Sequence, residues 1–272
     1  MKIVLFDMDG TLTPARGLMH WSMVDSLYDL QKSGYEIGIV SGSDLDYIKQ
    51  QCAPLFDLTL VNCNKIHWLP CNGTKYYEYT QASKKSRYEF KKIYENNMRA
   101  HLGETKWRSL IQLLINLQNT MTRVHKNIPL SGTFIDYRGS TINWCPIGRS
   151  ASTPDREVWE ELNINNNIRK LWLDLAQHGL KSAGLFEEIA IKYGGDTSFD
   201  IYPVGWDKTY AFNNFEKYKE VYFVGDRCNP TGNDYEAYLL AGEKGFKTRD
   251  PSQTINIINE IIATGITSND QG

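Results

Sequence analysis

Apolar runs in the 272-residue chain are short, stretches such as Leu113 to Ile115, far from the roughly 20 residues a membrane-spanning helix needs. Lys2 ahead of Ile3 to Phe6 has the look of an export signal, but Asp7 and Asp9 end that run too early, so no export is expected. The five cysteines, Cys52, Cys63, Cys71, Cys145 and Cys228, are odd in number and lack Cys-x-x-Cys spacing. That argues against a disulfide framework and a structural zinc site, and for a reducing, cytoplasmic compartment. Charge of one sign is missing too: 30 basic residues stand against 32 acidic ones, and a net charge of −2 gives no reason to expect a nucleic-acid partner. Neither membrane nor nucleic acid is expected as a partner. No glycine-rich nucleotide fingerprint occurs, which disfavours a kinase.

What is present is enough for a folded core, with 41% apolar and 23% charged residues. Residues 2–6 form a continuous apolar run, the pattern of a strand buried on both faces of a parallel sheet. Trp21, Val24, Leu27, Tyr28 and Leu30 recur at helical spacing, and Gly34 stands where a helix is expected to stop. Residues 37–40 read as a second strand, 43–51 as a helix opened by a capping residue and 58–61 as a third strand, giving β-α-β-α-β. The pattern then changes. Residues 75–79 read as a strand of a small hairpin, 82–101 as a charged amphipathic helix and 109–122 as another helix. Residues 132–137 and 141–145 flank Arg138-Gly139-Ser140 as a hairpin, 155–162 and 168–178 read as helices, and 188–193 and 198–202 as strands. Hairpin connections there indicate an α+β module inserted into the first domain. Alternation resumes with a strand at 221–224 and helices at 234–241 and 255–262. The expected organisation is an α/β core with a parallel sheet, residues 1–78 and 205–272, interrupted by an α+β cap with an antiparallel sheet, residues 79–204. The polar stretch 163–167 reads as a loop, the tail after Gly265 as frayed, and Lys84, Lys85, Arg87, Lys91 and Lys92 as a solvated helix face.

Ligands of open α/β sheets sit beyond the carboxyl ends of the strands, where the first strand runs into Asp7-Met8-Asp9-Gly10-Thr11. Carboxylates one residue apart share a side in extended geometry, which suits Asp7 as a nucleophile on phosphorus and Asp9 as the acid/base for the leaving and entering oxygens. Far along the chain, residues 221–224 run into Gly225-Asp226, followed by Asn233-Asp234. Facing strand-end carboxylates make a hard oxygen site that fits magnesium better than zinc. Ser41-Gly42-Ser43 offers hydroxyls and amides to phosphate oxygens, and Lys208 can neutralise a transferring group. Taken singly, Ser43 is more often a helix cap and Lys208 a solvated charge. His20, His67, His101, His125 and His178 show no ligand spacing and are assigned structural or surface roles, and Trp144, Trp159 and Trp172 core or interface roles.

In this order the motifs resemble those of the haloacid dehalogenase-like phosphotransferase superfamily. Residues 133–138, 145–150, 198–200 and 205–208, with His101-Leu102-Gly103-Glu104, look like the motifs of eukaryotic-type phosphomannomutases. The resemblance implies an aspartyl-phosphate on Asp7, Asp9 as general acid/base, Lys208 in the catalytic set, and magnesium held by Asp7, the backbone carbonyl of Asp9, Asp226 and Asn233. It carries sugar-phosphate contacts to Arg16, Arg138, Arg149, Ser198 and Asp200, beside Ser41 and Ser43. It further implies a Rossmann-like core whose cap closes over the nucleophile and excludes water, hexose phosphate substrates, hexose 1,6-bisphosphate as activator, a place in mannose metabolism toward GDP-mannose, and a homodimer through the cap.

The sequence departs from that pattern in places. The family's arginine before Gly-Thr-Phe is Ser131 here, which leaves fewer charges for a distal phosphate, with Lys126 nearby to compensate. Its Pro-Glu-Asn-Gly segment is expected, degenerate, at Val61-Asn62-Cys63-Asn64, and residues 227–232 follow the metal loop only partly. The activity expected is interconversion of mannose 6-phosphate and mannose 1-phosphate; the alternative is a magnesium-dependent sugar-phosphate phosphatase on the same fold. A silent binding protein would leave Asp7, Asp9, Asp226 and Lys208 without a joint purpose.

Overall fold

The computed structural model describes residues 1–57, 61–81 and 88–267. In chain order the elements are β1 (Lys2–Asp7), α1 (Trp21–Lys32), β2 (Tyr35–Val40), α2 (Leu45–Gln51), α3 (Pro54–Asp57), β3 (Ile66–Leu69), β4 (Lys75–Gln81), β5 (Tyr88–Glu95), α4 (Met98–Val124), β6 (Ile135–Tyr137) and β7 (Ile142–Trp144). There follow α5 (Thr153–Asn166), α6 (Ile168–Ser182), β8 (Ile189–Tyr193), β9 (Phe199–Pro203), β10 (Glu220–Gly225), α7 (Tyr235–Ala241), β11 (Gly245–Lys247) and α8 (Pro251–Thr267). They divide into two units, Met1–Glu95 with Trp206–Gly272, and Asn96–Gly205. Among the described residues no helix is long and apolar enough to cross a membrane.

The first unit is built on a seven-stranded sheet of order β11-β10-β1-β2-β3-β4-β5. From β11 through β3 the strands are parallel, and β4 and β5 add antiparallel. Strand β1 is central because both its faces are apolar: Val4 and Phe6 pack with Val24, Leu27 and Ile258, while Ile3 and Leu5 pack with Ala211, Phe215 and Phe223. Its neighbours are β2 on one side and the late β10 on the other, with Phe6 opposite Val224. The chain therefore reverses direction across the sheet at β1, and the carboxyl ends of β1 and β10 lie side by side.

The second unit carries an antiparallel sheet of order β6-β7-β9-β8. Ile142, Trp144, Phe199 and Ile201 on its strands and Trp159 and Trp172 on the helices are all at most 2% exposed. Trp144 stacks on Phe199 with centroids 5.0 Å apart. The same strands place Asp136 opposite Asn143 and Asn143 opposite Asp200, a cross-strand polar row.

Several expectations need correcting. Where it is described, the stretch 82–101 is helical only from Met98, where α4 begins: Tyr88–Glu95 is β5, whose aromatics pair across to β4, Phe90 opposite Tyr79 and Tyr94 opposite Tyr76. Alternating aromatics at period two outweighed the charges. Lys91 and Lys92 are thus strand residues; Lys84, Lys85 and Arg87, and the start of that stretch, lie outside the described residues. Because β4 and β5 extend the first sheet, the expected boundary at 78/79 falls inside β4, and the second unit begins at Asn96. The third parallel strand is Ile66–Leu69; residues 58–60 of the expected one lie outside the described residues, and Val61 is not in a strand. His67 disguised β3, yet there its ring bonds Glu36 Oε2 at 2.9 Å and Tyr76 Oη at 2.6 Å. Stretch 163–167 is the last turn of α5, broken only at Asn167, where φ is +50°. Expected helix 109–122 is part of the longer α4, and the three-residue β11 was too short to read.

Candidate active site

Strand β1 delivers Asp7 to the reversal point, 5% exposed, while Met8 turns into the core. Thr11 Oγ1 donates to Asp7 Oδ2 at 3.1 Å. Lys208, itself 1% exposed, donates to Asp7 Oδ1 and, at 2.5 Å, to Asp234 Oδ1. Far from a solvated charge, the ammonium bridges two buried carboxylates. Asp234 Oδ2 accepts the Arg227 backbone N–H at 3.0 Å.

Two glycines let these segments close. A Cβ on Gly10, whose φ is +84°, would stand 2.5 Å from Asp226 Oδ2, and one on Gly225 would stand 2.7 Å from Asp234 Cγ. Asp7, Asp226 and Asp234 consequently bring oxygens within 4.8 Å of one another. Burial raises the Asp7 carboxyl well above the usual carboxylate range; Lys208 pulls it down, and Asp234 and Asp226 push it up again. Burial and then Asp234 push Asp226 up to about 6. Burial would lower the Lys208 ammonium, but Asp234 and Asp7 hold its proton more tightly than usual. The Asn233 side-chain oxygen is buried and has no hydrogen-bond partner. An all-oxygen donor set with three crowded carboxylates and one orphaned amide oxygen fits a hard divalent cation.

Asp9 sits beside this cluster, half-buried. Its Oδ1 accepts the Arg16 backbone N–H at 2.9 Å and Gln51 Nε2–H at 3.1 Å. Arg16 has φ of +63° and its side chain is exposed. Ser41 is 3% exposed, and its hydroxyl accepts the Ser43 N–H at 3.1 Å. Ser43 does not cap α2; Asp44 does, through Oδ1 on the Leu45 N–H at 2.7 Å. Acceptance at the first turn suits an aspartate better than a hydroxyl because of its full negative charge. Val61-Asn62-Cys63-Asn64 precedes β3 rather than following it, so it is not the strand-end segment expected. The Asn-Gly beyond the third parallel strand is Asn72-Gly73, in Pro70-Cys71-Asn72-Gly73, with Asn72 at φ +64° donating to the Trp206 carbonyl at 3.2 Å.

In the second unit, Asn143, 3% exposed, is the hub of the polar row. Its Nδ2 donates to Ser198 Oγ at 2.9 Å and Asp200 Oδ1 at 2.7 Å, and its Oδ1 accepts from Arg149 at 3.2 Å. Asp136 Oδ2 accepts from Arg138 Nε at 3.1 Å and lies 3.3 Å from Arg149 Nε. Burial and then the neighbouring Arg138 lower Arg149. Arg138, Arg149, Ser198 and Asp200 are thus gathered in one cluster, while Asp7, Asp9, Asp226, Asn233 and Lys208 are gathered in the first unit. Ser131 lends its hydroxyl to Asp155 Oδ2 at 3.0 Å, an acceptor shared with the capping box of α5. Sequence reasoning missed Asp234 as a site carboxylate, Gln51 behind Asp9, and Asn143. Asp234 was signalled by its place one residue after Asn233, Asn143 by strand register alone, and Gln51 by nothing local.

The sequence pattern described as eukaryotic phosphomannomutase matches residues 23–264. Phosphomannomutase 1 of Dictyostelium discoideum is 34% identical over 268 residues, covering 95% of this chain and 96% of the relative. The phosphomannomutase of Saccharomyces cerevisiae is 31% identical over 265 residues, covering 95% and 93%. Among solved structures, the ATP-bound IMP-nucleotidase of Plasmodium falciparum superposes with a TM-score of 0.67 at 13% identity, covering 96% of this chain and 60% of that one. A trehalose-6-phosphate phosphatase of Aspergillus fumigatus gives 0.51 at 13% identity, covering 96% and 92%. These structural likenesses bear on the fold, which is the haloacid dehalogenase-like core with an inserted α+β unit. The sequence match runs through both units, and by it the chain belongs to the eukaryotic phosphomannomutase family.

Proposed function

We propose that this chain is a phosphomannomutase, interconverting mannose 6-phosphate and mannose 1-phosphate through an aspartyl-phosphate on Asp7. The observation that carries the reading is Asp7 itself: a carboxylate at a strand end, buried, paired with Lys208 and crowded by Asp226 and Asp234. In this reading phosphorylated Asp7 gives its phosphoryl group to the free hydroxyl of a hexose monophosphate, and Asp9 takes that hydroxyl's proton. The hexose 1,6-bisphosphate so formed presents its other phosphate. Asp7 then attacks phosphorus, the bond to the sugar oxygen breaks, and Asp9 returns the proton to that oxygen. Lys208 offsets the charge gathered around Asp7, and Ser41 and Ser43 offer donors to phosphoryl oxygens. The arginine pair Arg138 and Arg149 would grip the phosphate not being transferred, with Arg16, Ser198 and Asp200 orienting the sugar.

Magnesium would be held by Asp7, the Asp9 carbonyl, Asp226 and Asn233, with Asp234 behind them, and would supply charge neutralisation at the transferring phosphoryl group. Hexose 1,6-bisphosphate would prime the enzyme by phosphorylating Asp7. The same reading includes a homodimer through the second unit and a cytoplasmic supply of mannose 1-phosphate for GDP-mannose.

The test is mannose 1-phosphate with magnesium and a catalytic amount of hexose 1,6-bisphosphate, following isomer and free phosphate together. Mannose 6-phosphate should accumulate well ahead of phosphate, and chelation should stop both. Phosphate released without isomer would replace the mutase by the phosphatase reading.

A further inference from the structure

We infer that Gln51, the last residue of α2, is a positioning residue that holds Asp9 in register for proton transfer; this rests on the reading of Asp9 as the acid/base. Gln51 is 2% exposed, and every polar atom of its side chain that is seen to bond reaches the loop after β1. Its Oε1 accepts Thr13 Oγ1–H at 2.6 Å, and its Nε2–H donates to Asp9 Oδ1 at 3.1 Å. Its backbone carbonyl accepts the Met19 N–H at 2.8 Å, tying the same loop down a second time.

The orientation of the amide follows from its two neighbours, a hydroxyl that can donate or accept and a carboxylate that only accepts. The Thr13 hydroxyl has one proton and faces two acceptors, Gln51 Oε1 at 2.6 Å and the Met8 carbonyl at 3.3 Å. With the proton on the shorter contact, Gln51 Oε1 is fixed toward Thr13 and the NH2 group toward Asp9. The reverse orientation would set the amide oxygen against a carboxylate oxygen. Among the described residues the Gln51 amide and the Arg16 N–H donate to Asp9, and both converge on Oδ1. Oδ2 is thereby left as the oxygen that handles the substrate proton, at a position set by a buried amide on a helix rather than by the exposed loop alone.

A leaving-group comparison reads this directly. An aryl phosphate releasing 4-nitrophenolate needs no proton on its leaving oxygen, whereas hexose 1,6-bisphosphate does; kcat/KM for each reports Asp7 phosphorylation. Gln51→Leu, close in volume, should lower kcat/KM for the bisphosphate by about a hundredfold and for 4-nitrophenyl phosphate by no more than about threefold. Thr13→Val, which removes the hydroxyl that anchors Gln51 Oε1 and so loosens the amide, should show the same bias and serves if Gln51→Leu does not fold. Asp9→Asn is the control and should show the bias most strongly. Equal losses on both substrates in the Gln51 or Thr13 variant, or none, while Asp9→Asn discriminates, would overturn the positioning role. If Asp9→Asn itself slows both substrates alike, the acid/base reading of Asp9 fails, and the role of Gln51 with it.

Discussion

Lys208 is the residue on which the first unit's polar interior turns. Its ammonium lies between Asp7 and Asp234 with almost no solvent, so removing it leaves two buried carboxylates facing each other. Lys208→Met should therefore destabilise the fold by about 3–5 kcal/mol in urea unfolding at pH 7, the range for breaking a buried pair from one side. A solvated lysine would cost within about 0.5 kcal/mol, and that result would remove Lys208 from the site. The loss should shrink as pH falls: burial and the neighbouring Asp234 and Asp226 already raise Asp7, and without the ammonium that pulls it down the variant's Asp7 takes up a proton on folding at a higher pH than the wild type's, regaining stability toward low pH. The chemistry-bearing types at this scale were legible: Asp7, Asp9, Asp226 and Lys208 stand at strand ends or in short loops whose flanking apolar runs give them away. Residues acting through a neighbour were not. Gln51 and Asn143 matter because of what the folded chain sets beside them, and neither has a spacing to announce it.

At the scale of elements, the parallel strands and most helices could be read because a strand buried on both faces is apolar throughout and a helix repeats its apolar residues every three or four positions. Strand β5 could not, since lysines interrupt its aromatics and their charge hides the period of two. Helices α4 and α6 of the second unit are joined by a contact with its own pH dependence. Trp172 Nε1–H on α6 donates to Nε2 of His125, the residue closing α4, at 3.1 Å. Since an indole nitrogen only donates, that imidazole nitrogen must accept, and the ring there is neutral. Burial lowers His125 from its ordinary value. A histidine that binds its proton less readily when folded contributes stability that is complete above the unfolded value of about 6.5 and declines below it. Urea midpoints of the wild type should fall between pH 7.5 and 5.5 by more than those of His125→Gln, with tryptophan fluorescence as the probe. Equal slopes for the two proteins would show that the pair does not couple to folding.

For the whole molecule, the chain enters the second unit after Glu95 and leaves it before Trp206. All four strands of its sheet and the aromatics of its core are supplied from between those points. Residues 96–205 expressed alone should therefore fold, with a sigmoidal urea transition and a tryptophan near-ultraviolet signal. A gradual, featureless transition would mean that the unit depends on the rest of the chain. That an insertion exists was readable from the switch between crossover and hairpin connections; where it starts was not, because β4 and β5 are hairpin strands that belong to the first sheet.

The position of β10 beside β1 also sets an order of events during synthesis. Lys2 must pair with Glu220, and Asp7 must meet Lys208, yet the entire second unit is translated between them. A nascent chain thus carries one open edge of its central strand, and an unpaired acid at that strand's tip, until the last quarter of the chain leaves the ribosome. Pairing so distant in sequence is slow, and exposed strand edges recruit other chains. For this protein, hold-up by a chaperone and co-translational aggregation are hazards written into the order of the sheet.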